Sequence, residues 1–406
     1  MDFQRKKTKN TTKLRLKVKN IYLLFLCYFK FIIRGRADKK IAQPPKILIV
    51  QISKLGDMVC TTPMFRAIKL KYPQSEIYVL GNAINKNLLH HHPDINGYIV
   101  LSDNTFRLIK ELKKERFDFA CLTMPDLVSL AVVYLAGIPL ICAPKITTGY
   151  SPYNTKPFRL ASKLVMSKNY EIKKYTPGEY LKLLELIGIY TNNTKKHLTY
   201  SLLAEKKIEE FFTEYNINPG SDFIIGLSPA AGNKIKLWSP AKFAALMDYI
   251  YSRYQVKIII IGTKADTPLV TEVISHLNPA SQALNTAGMF DLEEVKALIS
   301  RMSLFISVDT GPIFIAEAFE VPTIDIVGPV DENVQPPRGE FHRIVKVKRD
   351  KAEIYILNAS DYDYQEAKRQ IDGITVEMVL EQFEELISAI NAVGFKTKIK
   401  SRAPAK

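Results

Sequence analysis

The sequence predicts an α/β protein built of two successive doubly wound domains, and three observations predict it. Short β-branched and aliphatic runs, beginning with KILIVQI at 46–52, alternate with stretches whose apolar residues recur at helical spacing. That alternation makes a parallel sheet covered by helices on both faces. It runs from residue 46 to about 136, lapses, and resumes at Phe223, and the 406 residues exceed the usual size of one core.

Residues 1–45 form a basic and apolar extension. Lysines and arginines from Arg5 to Lys19 precede an apolar and aromatic run at 21–33, closed by Arg34 and Arg36. Thirteen residues interrupted by Lys30 fall short of the roughly 20 that span a bilayer, so an interfacial helix is expected, with residues 1–40 on an anionic membrane surface. The alternatives are a helix that caps the core or binds a partner, and a secretion signal, for which no small-residue cleavage pattern follows. Charge agrees with a surface-seeking tail. Residues 1–46 carry 14 Lys and Arg against 2 acidic residues, and the tail at 396–406 carries 5 against none. The body between them holds 38 basic and 39 acidic residues, so no basic globular face suggests a nucleic-acid groove.

Pro44-Pro45 marks a boundary, and 46–52 reads as the first buried strand. The first βα turn is Ser53-Lys54-Leu55-Gly56-Asp57, followed by a helix at 58–71 that Tyr72-Pro73 stops. Strands are expected at 76–80, 97–101 and 117–122, with helices at 84–91, 105–114 and 126–136. The apolar period breaks down from Cys142 to about Thr176, which predicts a long loop. A helix at 177–189 and a polar connection at 191–196 close the first domain, at 46–200. In the second, at 201–395, a helix at 203–215 leads to strands at 223–227, 256–261, 304–308 and 323–327. Helices are expected between them at 240–254, 268–277, 292–302 and 312–319. A last helix at 376–390 comes after the sheet has run out of strands.

Three features carry chemistry. At Asp309-Thr310-Gly311-Pro312 a strand gives way to a helix, whose unpaired N–H groups and positive dipole end suit a phosphate; a well-capped helix of any doubly wound sheet is the plainer reading. Asp57 follows Gly56 at the end of the first strand, where a carboxylate can act as a base or simply cap the helix. Lys236 stands two before Trp238, after the small-residue loop Ser228-Pro229-Ala230-Ala231-Gly232, with Lys234 a competitor. The four cysteines lack metal-ligand spacing and sit in apolar segments, so buried free thiols are expected in a reducing compartment, and His90-His91-His92 reads as a solvated loop.

Three stretches in order resemble the heptosyltransferase group of the GT-B glycosyltransferases, glycosyltransferase family nine. They are ILIVQISKLGDMVCTTPMFRAIKLKYPQSEIYVL at 47–80, IIGLSPAAGNKIKLWSPAKFAAL at 224–246, and LNTAGMFDLEEVKALISRMSLFISVDTGPIFIAEAFEVPTIDIVGP at 284–329. The resemblance implies two Rossmann-like domains facing a cleft, and inverting, metal-independent transfer from a nucleotide sugar, plausibly ADP-heptose, to a glycolipid or oligosaccharide acceptor of lipopolysaccharide-core type. It implies no cofactor, and a peripheral place on the inner face of the cytoplasmic membrane. Asp57 falls on the family's catalytic Asp, with Ser53, Lys54 and Gly56 in the acceptor-side loop. Lys236 falls on its phosphate-contacting Lys, and Ser228, Gly232, Asp309, Thr310 and Gly311 on its donor loops. Asp266, beyond the strand at 256–261, is a candidate for a ribose hydroxyl. Phe314 stands where the family commonly has His, which opens the choice of donor sugar. Alternatives are a transferase or epimerase with a different nucleotide sugar, and a non-catalytic nucleotide-sugar-binding membrane protein.

Overall fold

Among the residues that the computed structural model describes, 2–34, 41–354, 362–394 and 398–402, twelve strands form two six-stranded sheets, and every pairing within them is parallel. The chain divides into two compact units, the first of residues 1–53, 63–86 and 93–194, the second of 54–62, 87–92 and 195–406.

The first unit's sheet contains β1 (Lys46–Gln51), β2 (Glu76–Gly81), β3 (Gly97–Val100), β4 (Phe119–Leu122), β5 (Leu140–Thr148) and β6 (Met166–Glu171), in the order β3-β2-β1-β4-β5-β6. The chain winds outward one way from β1 and the other way from β4, so a switch point lies at their carboxyl ends, beside the first βα turn. The helices up to this point are α1 (Asp2–Arg34), α2 (Leu55–Lys71), α3 (Ala83–Leu89), α4 (Thr105–Glu115), α5 (Leu127–Ala136), α6 (Lys156–Ala161) and α7 (Thr176–Leu183). Leu48, Val50, Leu80, Leu122, Leu130 and Val133 belong to the core on one face of the sheet.

The extension is helical, and one of its faces is core. Leu23 and Cys27 of α1 are buried in a cluster with Ala131 of α5 and Leu164. Lys30 Nζ donates to the carbonyls of Tyr134 and Leu135, at 2.8 and 3.0 Å, and so neutralises the negative end of α5. Tyr28 donates its hydroxyl to the Leu160 carbonyl at 3.0 Å.

The loop expected over 142–176 is replaced by ordered structure: β5 runs to Thr148, α6 follows, and β6 closes the sheet edge. β6 (MSKNYE) has no fully buried residue and displays no apolar run, and in β5 (LICAPKITT) the short apolar start Leu140–Ala143 is broken by Pro144 before an exposed C-terminal half.

The second unit repeats the plan with β7 (Phe223–Ser228), β8 (Val256–Ile260), β9 (Leu284–Asn285), β10 (Leu304–Val308), β11 (Thr323–Ile326) and β12 (His342–Val345), in the order β12-β11-β10-β7-β8-β9. Its helices are α8 (Leu202–Glu214), α9 (Pro240–Arg253), α10 (Thr267–Ser275), α11 (Leu292–Ser300), α12 (Gly311–Ala318), α13 (Tyr364–Asp372) and α14 (Val376–Val393). The sheet does not end at Val327, because β12 pairs in register with β11. α14 buries Val379, Phe383, Leu386 and Ile390 in this unit's core. Trp238 is buried in the same core and donates its indole N–H to the Ile374 carbonyl at 2.9 Å. All four cysteines are free and buried, as the sequence led us to expect. No described helix is long and apolar enough to cross a membrane.

Candidate active site

In the second sheet the order of winding reverses between β7 and β10, and the residues singled out for the donor follow these two strands. Ser228 ends β7 and is buried, its carbonyl accepting from Ser307 Oγ at 3.1 Å. Gly232 has open space where a Cβ would stand. Lys236 is buried, and its ammonium lies 2.5 Å from Asp309 Oδ2, whereas Lys234 is exposed. Of the two lysines left open by the sequence, Lys236 is the one built into the turn. Thr310 takes the N-cap position of α12 with extended backbone and no side-chain cap; Pro312 has no N–H and the Ile313 N–H donates to the Thr310 carbonyl at 3.1 Å, so Gly311 is the residue through which this helix start can meet an anion. Asp266 is committed to its own turn, its carboxylate accepting from the Thr263 N–H at 2.8 Å and the Thr263 hydroxyl at 2.6 Å.

Charge is concentrated under this turn. Asp325 of β11 stands in register with Ser307 of β10, fully buried, and neither carboxyl oxygen has a hydrogen-bond partner. Burial first, then the neighbouring Asp309, pushes its carboxyl well above the usual carboxylate range, against the pull of Lys236. Asp309 Oδ1 is likewise buried and unpartnered. Lys196, its side chain wholly buried, pairs with Glu317 of α12 at 2.5 Å. The buried lysines thus stand against an acidic cluster, an arrangement that can exchange partners with an incoming anion.

Residues 54–62 belong to the same compact unit, and the contact is made through glycines. A Cβ on Gly311 would come within 2.7 Å of Leu55 Cδ2, and a Cβ on Gly56 within 2.8 Å of the Phe314 ring. Each turn therefore offers a hole that the other fills, and Phe314 is buried over the residue that precedes Asp57. Asp57 Oδ1 accepts from Gln335 Nε2 at 2.6 Å. Gln335 lies on the loop after β11, which Arg349 pins: its guanidinium donates to the carbonyls of Gly328 and Val330, to Glu332 and to Gln370. Sequence reasoning missed Gln335, 278 residues from its partner. No local spacing marks it, and only its place shortly after Gly328-Pro329 could have drawn attention to it.

In the first unit, Ser53 is set by its neighbours: its N–H donates to Gln51 Oε1 at 3.1 Å, and its carbonyl accepts from Asn82 and Asn85 at 2.6 and 3.0 Å. Lys54 accepts the Met58 N–H at its carbonyl and so opens α2. The His triplet lies outside this constellation. His92 is buried with its ring 3.2 Å from the His197 carbonyl, and the rings of His90 and His91 touch each other.

The chain is 26% identical over 325 residues to lipopolysaccharide heptosyltransferase 3 of Escherichia coli, covering 74% of this chain and 92% of that protein. It is 25% identical over 375 residues to lipopolysaccharide heptosyltransferase 2 of Salmonella typhimurium, covering 84% and 99%. Among solved structures, a family 9 glycosyl transferase from Veillonella parvula superposes with a TM-score of 0.69 at 19% identity, over 86% of this chain and 99% of that one. The E. coli ADP-heptose lps heptosyltransferase II does so with 0.66 at 21% identity, over 85% and 99%. These two share the fold of paired Rossmann-like domains expected of the GT-B class. Residues 105–356, more than half of the chain, match the family described as glycosyltransferase family 9 (heptosyltransferase). The chain belongs to that family and is a glycosyltransferase.

Proposed function

We propose that the protein transfers heptose from ADP-heptose to an acceptor of the lipopolysaccharide-core kind, with inversion at the anomeric carbon, at the inner face of the cytoplasmic membrane to which residues 1–40 bring it. Asp57 takes the proton of the acceptor hydroxyl. The acceptor oxygen forms its bond to the anomeric carbon from the face opposite the diphosphate, and the bond from that carbon to the phosphate oxygen breaks, its electron pair leaving with ADP. Lys236, with the Gly311 N–H and the positive dipole end of α12, offsets the charge growing on the diphosphate, the work a metal ion does in other transferases. Gln335 is a positioning residue: its amide donates to the Asp57 carboxylate and fixes its orientation.

The observation that supports this reading is the interlock of the Asp57 turn with the Asp309–Gly311 turn, in which Leu55 meets Gly311, Phe314 meets Gly56, and Gln335 donates to the Asp57 carboxylate. The test is to incubate the protein with ADP-heptose and a heptose-deficient core acceptor, following ADP release and the anomeric configuration of the product. Inverted product is expected. Turnover of another nucleotide sugar but not ADP-heptose would move the assignment to a second reading, a transferase with a different donor. Phe314 favours that reading, because an apolar ring cannot hydrogen-bond a sugar hydroxyl.

A further inference from the structure

α1 has two apolar faces, and only one is covered. Val18, Tyr22, Phe25, Phe29 and Ile32 recur at intervals of four and three, a continuous stripe along the helix, and all are exposed, Phe25 at 63% and Ile32 at 80%. The Phe25 and Phe29 rings stack on each other with centroids 6.2 Å apart. An unburied stripe of this size on a folded body marks an interaction surface. It does not stop at α1. Tyr22 meets the exposed Phe106 of α4 edge-on, at 6.5 Å between centroids. Lys110 and Lys113 stand four and seven residues on from Phe106, on the same face of α4 and exposed, with Arg107 and Lys114 beside them against the single exposed carboxylate of Glu111. Lys17, also exposed, lies at the N-terminal end of the stripe.

We propose that the open face of α1 and the basic face of α4 form one docking surface for an anionic lipid bilayer. The aromatic and aliphatic stripe enters the headgroup boundary, and the lysines of α4 lie level with the phosphates. Charge decides the occupant: a second copy docked through the same surface would bring like-charged α4 helices together, whereas an anionic bilayer complements them. The proposal rests on the reading of a membrane-borne acceptor and alters it in one respect. The contact is not a detachable tail, because Leu23, Cys27 and Lys30 fix α1 on α5, so the lipid surface is part of the folded first unit.

The test uses the full chain and vesicles of phosphatidylcholine and phosphatidylglycerol at about three to one. Phe25→Ser/Phe29→Ser and, separately, Lys110→Glu/Lys113→Glu should each lower vesicle affinity by about tenfold to a hundredfold. Binding should fall as salt rises, and pure phosphatidylcholine should hold the protein poorly. ADP should raise the thermal midpoint equally in all variants; this control keeps lipid docking separate from the donor site, since failure of the transferase reading shows as no response to ADP with vesicle binding intact. Unchanged affinity in the α1 variant overturns the proposal, and unchanged affinity in the α4 variant removes α4 from the surface and overturns its composite form. Concentration-dependent dimers that Phe25→Ser/Phe29→Ser abolishes, without vesicle binding, would make the stripe a self-association face and overturn it as well.

Discussion

Under the proposed mechanism Asp57 is the base and Gln335 donates to its carboxylate, so the two roles separate by substitution. Asp57→Asn should lower kcat by a factor on the order of 100 to 10,000 with ADP affinity nearly unchanged, as measured by steady-state kinetics beside calorimetric titration. Gln335→Leu should cost less, about tenfold in kcat, with ADP affinity nearly unchanged. For the donor, Lys236→Ala should weaken ADP binding at least about tenfold, and Lys234→Ala hardly at all, since only Lys236 is buried against Asp309. The segments holding Asp57, Lys236 and the Asp309–Gly311 turn stood out in the sequence because each comes in the connection after a strand, β1, β7 and β10. Gln335 did not, because its meaning lies wholly in a contact made across most of the chain.

At the scale of elements, the loop after β11 shows how a polar segment is given one shape. Arg349, almost wholly buried, serves Gly328, Val330, Glu332 and Gln370 together. Burial opposes ionisation of Glu332, but hydrogen bonds from Lys346, the backbone and Arg349 outweigh it and hold the carboxyl down to about 2. Between its ordinary value of 4.5 and about 2 the unfolded chain takes up a proton that folded Glu332 refuses, so this contribution to stability, complete above 4.5, is lost as pH falls through that window. Arg349→Met should flatten that acid dependence in denaturant titrations and destabilise the fold by about 1–3 kcal/mol at neutral pH, chiefly through the unmet carbonyls of Gly328 and Val330, because Lys346 still pairs with Glu332. The strands that escaped sequence reasoning share one physical cause. β6, β9 and β12 lie at sheet edges or beside them, are short or half-buried, and need no apolar run. β5 conceals itself behind Pro144.

For the whole molecule, the twofold run of strand–helix alternation was enough to read two doubly wound domains. What it could not convey was that residues 54–62 and 87–92 group with the second unit, the first segment through the glycine holes at 56 and 311, the second through the Leu88 carbonyl, which accepts from Lys296 at 2.8 Å, and His92, which meets the His197 carbonyl. The chain also carries a native label for each unit. Its single tryptophan, Trp238, is buried in the second, while three of the four cysteines, Cys27, Cys121 and Cys142, are buried in the first. Burial pushes the Cys27 thiol up to about 12 and Cys121 well above its ordinary value, so neither reacts with alkylating reagents until its surroundings open. Indole emission therefore follows unfolding of the second unit, and thiol labelling read by mass at those three cysteines follows the first. Saturating ADP, at about 100 times its Kd, should move the emission midpoint by the equivalent of about 2.7 kcal/mol. Labelling of Cys121 and Cys142 should stay where it was; a matching shift at those thiols would show that the two units melt as one.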